Sequence, residues 1–191
     1  VPTNNNPCKS AVPPSEYNKV CVLTTPRWIK FVINFISVLL LFIALYRFCL
    51  SLDFFLIIGV VAIVSGINIY LHEKCHQVIF ETLTGKPVIT RLNLIASNCR
   101  PTVPCSVPAY LAAQIFPLIT TASLGVLTSV LFIFNTPSWF IFGLALATIY
   151  SFLGSSGDLY WAFKLRNFPT NYVAIDHGTW AEVYAPPTQR N

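Results

Sequence analysis

One segment of the chain, residues 54–76, reads FFLIIGVVAIVSGINIYLHEKCH. Its apolar part, Phe54–Leu71, is interrupted only by Ser65 and Asn68, and it approaches the length of about 20 residues that a helix needs to cross a bilayer. The polar residues that follow place His72–His76 at the end of the same helix. This segment therefore predicts a membrane-spanning helix that carries a polar cluster at its end.

Three more apolar runs have a similar character, and they are Ile29–Leu50, Tyr110–Phe134 and Trp139–Leu153. The last run is short and continues into the small residues Gly154–Gly157, so it spans a bilayer only if these residues stay helical. Of the 191 residues, 54% are hydrophobic and 10% are charged, whereas soluble domains carry about 25% charged residues. This low charged fraction argues against an ordinary soluble globule, and strand-like alternation is too rare for a barrel. We predict an all-α integral membrane protein with four transmembrane helices.

The four helices divide the chain into three regions. Residues 1–28 form a polar, Pro-rich segment, residues 29–167 form the four-helix membrane domain, and residues 168–191 form a polar tail. Between helices 2 and 3, Gly85-Lys86-Pro87 indicates a turn, and Val88–Leu94 alternates in part and contains β-branched residues. We therefore expect a short, hairpin-like β structure in this loop.

The basic residues predict the orientation of the chain in a lipid bilayer. The formal net charge is +5, and Lys and Arg lie mostly in the N-terminal flank, in the loop between helices 2 and 3, and in the tail. The turns at Ser51–Asp53 and Asn135–Ser138 contain neither. Because short basic loops stay in the cytoplasm, both termini and the middle loop are predicted to be cytoplasmic. The charges do not cluster on one element, so we expect no nucleic-acid partner.

The motif His-Glu-x-x-His carries the strongest chemical signal. Residues four apart lie on one face of a helix, so the imidazoles of His72 and His76 can bind one metal ion. Glu73 projects beside them, where a carboxylate can act as the catalytic base of a zinc peptidase. Ser65 and Asn68 continue the polar face, and polar groups at membrane depth usually face a protein interior. We favour a Zn²⁺ site over the alternative of two polar histidines at a helix end.

A catalytic zinc ion takes three protein ligands and leaves one position open. Asp158 is the preferred third ligand, because it directly follows the small residues Gly154–Gly157 and returns to the side of the two histidines if the fourth helix crosses the membrane. Asp176 and His177 in the tail remain alternatives for this third ligand.

Further polar residues are candidates for supporting roles. Asn68, one turn before His72, is expected either to orient a ligand or the substrate backbone, or to make an interhelical hydrogen bond. His177 is a candidate for hydrogen bonding to a reaction intermediate. Cys99 and Cys105 form the one close cysteine pair in a loop, and their spacing fits no zinc-ribbon pattern, so we expect both to be structural thiols.

The order of these motifs resembles that of a known family. The residues that carry the resemblance are His72–His76, Gly85-Lys86-Pro87, Phe116-Pro117, Gly157-Asp158-Leu159, Lys164–Pro169 and Asp176-His177-Gly178. From the second helix onward the chain resembles the bacterial membrane family described as "putative zincin peptidase".

That family is distantly similar to the site-2 intramembrane metalloproteases, which pair the His-Glu-x-x-His helix with an Asp ligand on a later helix. By this resemblance, His72 and His76 match the metal ligands, Glu73 matches the catalytic base, and Asp158 matches the later Asp. Here Asp158 follows Gly157 and precedes Leu159, which departs from the site-2 pattern.

One function is favoured and two alternatives remain. The favoured function is that of a zinc-dependent endopeptidase, multi-pass in a bacterial cytoplasmic membrane, that cleaves a membrane-associated protein substrate near its cytoplasmic end. The first alternative is a catalytically inactive, peptidase-like membrane scaffold that binds a partner protein. A small transporter or a haem-binding bundle is weaker, because the only histidine outside helix 2 is His177.

Overall fold

The computed structural model describes residues 16–48, 51–91, 98–178 and 180–187, most of which are helical. The helices are α1 (Arg27–Phe48), α2 (Leu52–Thr84), α3 (Val107–Ile115), α4 (Leu118–Ile133), α5 (Ser138–Gly154) and α6 (Ser156–Leu165). The strands are β1 (Asn18–Thr24), β2 (Val88–Arg91), β3 (Asn98–Pro101), β4 (Cys105–Ser106), β5 (Val173–Asp176) and β6 (Trp180–Ala185).

Four helical stretches are long and apolar enough to cross a membrane, judged by length and composition alone. They are α1, α2, α3 with α4, and α5 with α6, so the prediction of four long apolar helices is confirmed. α2 continues past Leu71 and ends at Gly85, whose φ of 63° is left-handed and whose N–H donates to the carbonyl of Glu81. The polar motif at residues 72–76 therefore lies within a continuous helix.

Two of the four stretches contain a break. Pro117 has no N–H to donate, and it separates α3 from α4 as a proline inside a helix is expected to do. α5 and α6 are separated only at Ser155, whose hydroxyl donates to the carbonyl of Ser151 at 3.0 Å. The small residues after Leu153 are thus almost entirely helical, and Asp158 lies in the first turn of α6.

The strands lie at one end of the helical bundle. β1 leads into α1, β2 follows α2, β4 leads into α3, and β5 follows α6. Short connections between helices favour antiparallel neighbours, so these four ends belong to one end of the helical bundle. Contacts of β3 with α2, and of β4 and β5 with α3, hold the strands there. This end of the bundle carries the polar motif of α2.

The strands form two antiparallel sheets. One pairs β2 with β3, in register from Val88 opposite Pro101 to Arg91 opposite Asn98, so β structure is present where it was expected after helix 2. Residues 92–94 of that expectation lie outside the described residues. The other has four strands in the order β1-β6-β5-β4.

The predicted all-α class is corrected by this four-stranded sheet. Its strands β1, β5 and β6 come from the segments that the sequence analysis treated as a polar N-terminal region and a polar tail. Their pairing joins Asn18 to Ala185 and Thr24 to Trp180, and partners so far apart in sequence leave no local pattern. The protein is mostly helical with a small β region.

A buried cluster joins this sheet to the helices. Phe80 of α2, Tyr110 of α3 and Leu165 of α6 have no exposed surface, and they pack with Ala174 and Val183 of the sheet. Because protein interiors are close-packed and resist deformation, this cluster fixes α2, α3 and α6 relative to one another.

The contact between α2 and α5 depends on Gly143. A Cβ at this position would lie 2.9 Å from Cγ1 and 3.0 Å from Cβ of Val60, and Cβ cannot move without its backbone. We expect Gly143→Ala to lower the free energy of unfolding by about 1–3 kcal/mol, measured as a lower thermal unfolding midpoint in detergent.

The matched control for this substitution is Gly59→Ala on α2. A Cβ at Gly59 meets nothing within 4 Å, and alanine is the better helix former by about 1 kcal/mol. Gly59→Ala should therefore keep or raise the midpoint. An unchanged midpoint for Gly143→Ala would contradict the close approach of α2 and α5.

Candidate metal centre

The histidines of the motif lie one turn apart on α2, as their spacing predicts. Their Nε2 atoms are 3.2 Å apart and their ring centroids are 4.9 Å apart. His76 is buried, with 6% of its surface exposed, and Phe80 stacks on its ring at an interplanar angle of 16°. The two rings therefore point their Nε2 atoms toward one location.

Asp158 brings a carboxylate to the same location from α6. Its Oδ2 lies 2.9 Å from Nε2 of His72 and 3.6 Å from Nε2 of His76. The side chain stands in the first turn of α6, where the partial positive charge of a helix N-terminus stabilises a carboxylate. The last long apolar stretch, α5 with α6, thus supplies an acidic group to the histidine pair.

The three side chains fit a metal ion. One ligand atom from each lies within 4.8 Å of the others, and no second group of three such side chains meets this distance in the part of the chain that the structure describes. The three separations define a circle with a radius of about 1.9 Å, which is close to the Zn–N and Zn–O bond lengths of about 2.0–2.2 Å. Two imidazoles and one carboxylate are also a donor set that catalytic zinc sites use.

Glu73 lies beside this group without being one of its ligands. Its side chain is 7% exposed, and its Oε2 has no hydrogen-bond partner among the described residues. It lines a cavity of about 230 Å³ together with His72, His76 and Asp158. The carboxylate of Glu73 therefore lines the cavity beside three potential ligands, where a carboxylate can accept a proton from a bound molecule.

Comparison with known proteins agrees with this geometry. The family described as "putative zincin peptidase" matches residues 65–173, which is more than half of the chain. The protein belongs to this zincin peptidase family. No curated protein and no solved structure matches the chain.

Membership in the zincin peptidase family indicates a zinc metallopeptidase, with zinc as the cofactor. The matched residues include the motif of α2, the break at Pro117 and Asp158. They end at Val173, before Asp176 and His177.

Asp176 is near the ligands but is held by other partners. Its Oδ2 accepts a hydrogen bond from the hydroxyl of Tyr110 at 2.7 Å, and its Oδ1 accepts one from the N–H of Gly178 at 2.6 Å. Burial raises the pKa of the Asp176 carboxyl, although both hydrogen bonds oppose this effect. Asp176 lines the cavity and does not join the group of His72, His76 and Asp158.

His177 and Asn68 lie outside the cavity lining. The ring of His177 stacks on Trp180 with centroids 3.7 Å apart, and its Nε2 is 3.4 Å from Oε2 of Glu182. Asn68 is buried on α2, one turn before His72. The structure thus brings neither residue into the group of potential ligands.

The loop cysteines are buried free thiols. Burial raises the pKa of the Cys99 thiol to about 12 and that of the Cys105 thiol to about 12. Cys99 lines the cavity but does not join the group of His72, His76 and Asp158.

Several cavity residues were not identified from the sequence. They are Thr25, Lys30, Gln114 and Trp161. Gln114 lies inside an apolar run, and a single polar residue there does not indicate a functional site unless the residues around it are known. Trp161 lies near the end of an apolar run, a position that is typical of an interfacial aromatic residue. Lys30 comes from α1, which no local pattern connects to the motif of α2.

The contribution of the hydrogen bond from Tyr110 to Asp176 to the stability of the protein can be tested by substitution. Tyr110 is fully buried, so no solvent can replace its hydroxyl when it is removed. Tyr110→Phe should lower the free energy of unfolding by about 1–3 kcal/mol, because it leaves a buried carboxyl with one donor fewer. Tyr160→Phe is the matched control, since Tyr160 contacts Lys164 through its ring. Equal unfolding midpoints for the two variants would contradict this role of Tyr110.

Proposed function

We propose that this protein is a zinc-dependent endopeptidase embedded in a membrane, and that it hydrolyses peptide bonds of membrane-associated proteins. The observation that carries the proposal is the convergence of His72, His76 and Asp158 beside the unpartnered carboxylate oxygen of Glu73. In zincins, these are the roles of three ligands and one general base. The family match supports the same chemistry.

Each residue has a defined task in this reaction. His72 and His76 would hold the zinc ion through their Nε2 atoms, and Asp158 through Oδ2. When bound, the ion would supply Lewis-acid activation of water and of the substrate carbonyl. Glu73 accepts the proton of the attacking water at Oε2 and then passes it to the leaving amine as the C–N bond breaks. Glu73 is 7% exposed, and electrostatic interactions are stronger where water is excluded.

The helix surfaces support insertion into a lipid bilayer. α1 exposes large apolar side chains, among them Phe31 at 71%, Phe35 at 61% and Phe42 at 66%. Contiguous apolar surface of this kind is rare on soluble monomers, and a lipid phase would cover it. The apolar part of α2 ends at Leu71, so the metal site would lie close to one membrane surface.

The same reasoning gives an orientation and a substrate class. The Lys and Arg residues that flank the strand-bearing end of the bundle would keep this end, and with it both termini, in the cytoplasm. We place the protein in a bacterial cytoplasmic membrane, because the order of its motifs resembles that of a bacterial membrane family. Its substrates would be proteins anchored in that membrane and cut near their cytoplasmic ends. The pairing of an α2 motif with a later Asp is similar to that of site-2 proteases.

Metal removal and restoration test the proposal. Purified protein in liposomes is incubated with fluorescein-labelled casein and with a co-reconstituted single-span test protein. Hydrolysis should be lost on treatment with a zinc chelator and restored by added zinc. Hydrolysis that is insensitive to the chelator would contradict the metal mechanism. A zinc-loaded protein that cleaves neither substrate would favour the inactive scaffold.

A further inference from the structure

Besides Oε2 of Glu73 and Nδ1 of His76, two buried polar atoms of cavity-lining side chains have no hydrogen-bond partner among the described residues. They are Oε1 of Gln114, on a side chain that is 3% exposed, and the indole Nε1 of Trp161, on a side chain that is 7% exposed. Neither atom has a hydrogen-bond partner within the described ranges. Buried polar groups are nearly always paired, and an unpaired one requires an explanation.

Both side chains are held on rigid elements next to the potential metal ligands. Gln114 stands one turn after Tyr110 on α3, and Trp161 stands three residues after Asp158 on α6. α3 packs against α6, and the rings of Tyr110 and Trp161 are stacked with centroids 6.3 Å apart. Gln114 and Trp161 line the same cavity as His72 and Glu73. The two unpaired atoms therefore belong to side chains that line the space in which a substrate would meet the candidate metal centre.

The two atoms are complementary in their chemistry. The carboxamide oxygen of Gln114 can only accept a hydrogen bond, and the indole N–H of Trp161 can only donate one. A peptide group presents one N–H donor and one carbonyl acceptor. An extended polypeptide in the cavity can therefore satisfy both atoms through its backbone, whatever its side chains are.

We propose that Gln114 and Trp161 bind the backbone of the polypeptide substrate. Gln114 accepts a hydrogen bond from a substrate N–H, and Trp161 donates one to a substrate carbonyl, in the peptide groups beside the bond that is cut. This assignment rests on the proposed peptidase function. It defines the substrate class as unfolded or extended polypeptide, recognised with little dependence on sequence.

The test uses variants that remove the hydrogen-bonding atoms with little change in shape. Gln114→Met and Trp161→Phe remove the acceptor and the donor. Thr121→Val is the matched control, because the Thr121 hydroxyl is also buried without a partner but lines a separate apolar groove between α4 and α5. The probe is a labelled decapeptide of mixed sequence, and its binding is measured on zinc-treated Glu73→Gln protein, in which cleavage is slow.

Each of the two variants should weaken binding of this decapeptide by about tenfold. In a background with Glu73 intact, KM should rise by a similar factor with little change in kcat, since these bonds form equally in the ground and transition states. Gln114→Met should leave the unfolding midpoint of the peptide-free protein unchanged or higher, because an unpaired buried polar atom is removed. Thr121→Val should change neither Kd nor KM.

Three outcomes would overturn the assignment. The first is unchanged peptide binding in both Gln114→Met and Trp161→Phe. The second is equal weakening by Thr121→Val. The third is a large loss of thermal stability in Gln114→Met together with unchanged binding by Trp161→Phe, which would give Gln114 a structural role.

The same variants distinguish failure of the proposed peptidase function from failure of the proposed backbone contacts. The zinc content of every variant is measured, and decapeptide binding is repeated after chelation. Peptide binding that depends on Gln114 and Trp161 in a protein without zinc would retain the backbone contacts and reject the zinc peptidase. Zinc-dependent cleavage that is indifferent to both variants would retain the peptidase and reject the backbone contacts.

Discussion

Glu73→Gln is expected to slow peptide hydrolysis severely while leaving zinc binding intact. The substitution preserves the length and shape of the side chain and removes only its ability to accept a proton. Glu73 is not part of the group of three potential ligands, so metal affinity should stay within a fewfold of that of the unaltered protein. Positioned general bases contribute about 10²–10⁴-fold to rates, and we expect a loss of kcat in that range, measured on the labelled casein.

Glu81→Gln is the control for this substitution. Glu81 lies two turns further along α2, accepts a hydrogen bond from Gln77 at 2.9 Å, and does not line the cavity. Its variant should cleave at the normal rate. Normal cleavage by Glu73→Gln, with zinc bound, would show that another group accepts the proton and would refute the assigned role of Glu73.

The second large effect is expected on zinc affinity. His72→Ala and His76→Ala each remove one potential ligand atom. Asp158→Asn replaces the carboxylate with a neutral amide, which is a weaker zinc ligand. Loss of residues that merely support zinc ligands lowers metal affinity by about 10–100-fold, so removing a ligand should lower it by at least about 100-fold. Affinity is measured by competition with a chromogenic chelator, and hydrolysis should fall in the same variants.

Asp176→Asn and His177→Ala are the informative controls, because both residues were sequence-based alternatives for the third ligand. The structure places Asp176 with Tyr110 and Gly178, and His177 with Trp180. Both variants should therefore retain zinc. Zinc retained by Asp158→Asn and lost by Asp176→Asn would transfer the ligand role to Asp176.

The helical part of the fold could be predicted because its signals are local. Apolar runs, the break at Pro117 and the helix end at Gly85 each depend on residues within a few turns. The four-stranded sheet depends instead on β1 pairing with β6, across most of the chain. β5 is only four residues long, and its hydrophobic pattern is too short to predict a strand.

In the candidate site, too, the residues with local signals could be predicted and those that depend on tertiary packing could not. The spacing of His72 and His76 determines their shared face, and the small residues before Asp158 indicated a close approach of the last span. Gln114 and Tyr110 could not be assigned from sequence, because a polar side chain in an apolar helix is informative only once its surroundings are known. Their surroundings come from α6 and β5, which reach α3 through tertiary packing.

The most direct test of the central claim is the zinc X-ray absorption spectrum of protein loaded with one equivalent of zinc. Ligation by His72, His76 and Asp158 predicts a shell of nitrogen and oxygen atoms at about 2.0–2.2 Å, with outer-shell scattering from two imidazoles. His76→Ala, loaded with excess zinc, should lose half of that imidazole signal. A sulfur shell at about 2.3 Å, or a spectrum without imidazole scattering, would contradict the account.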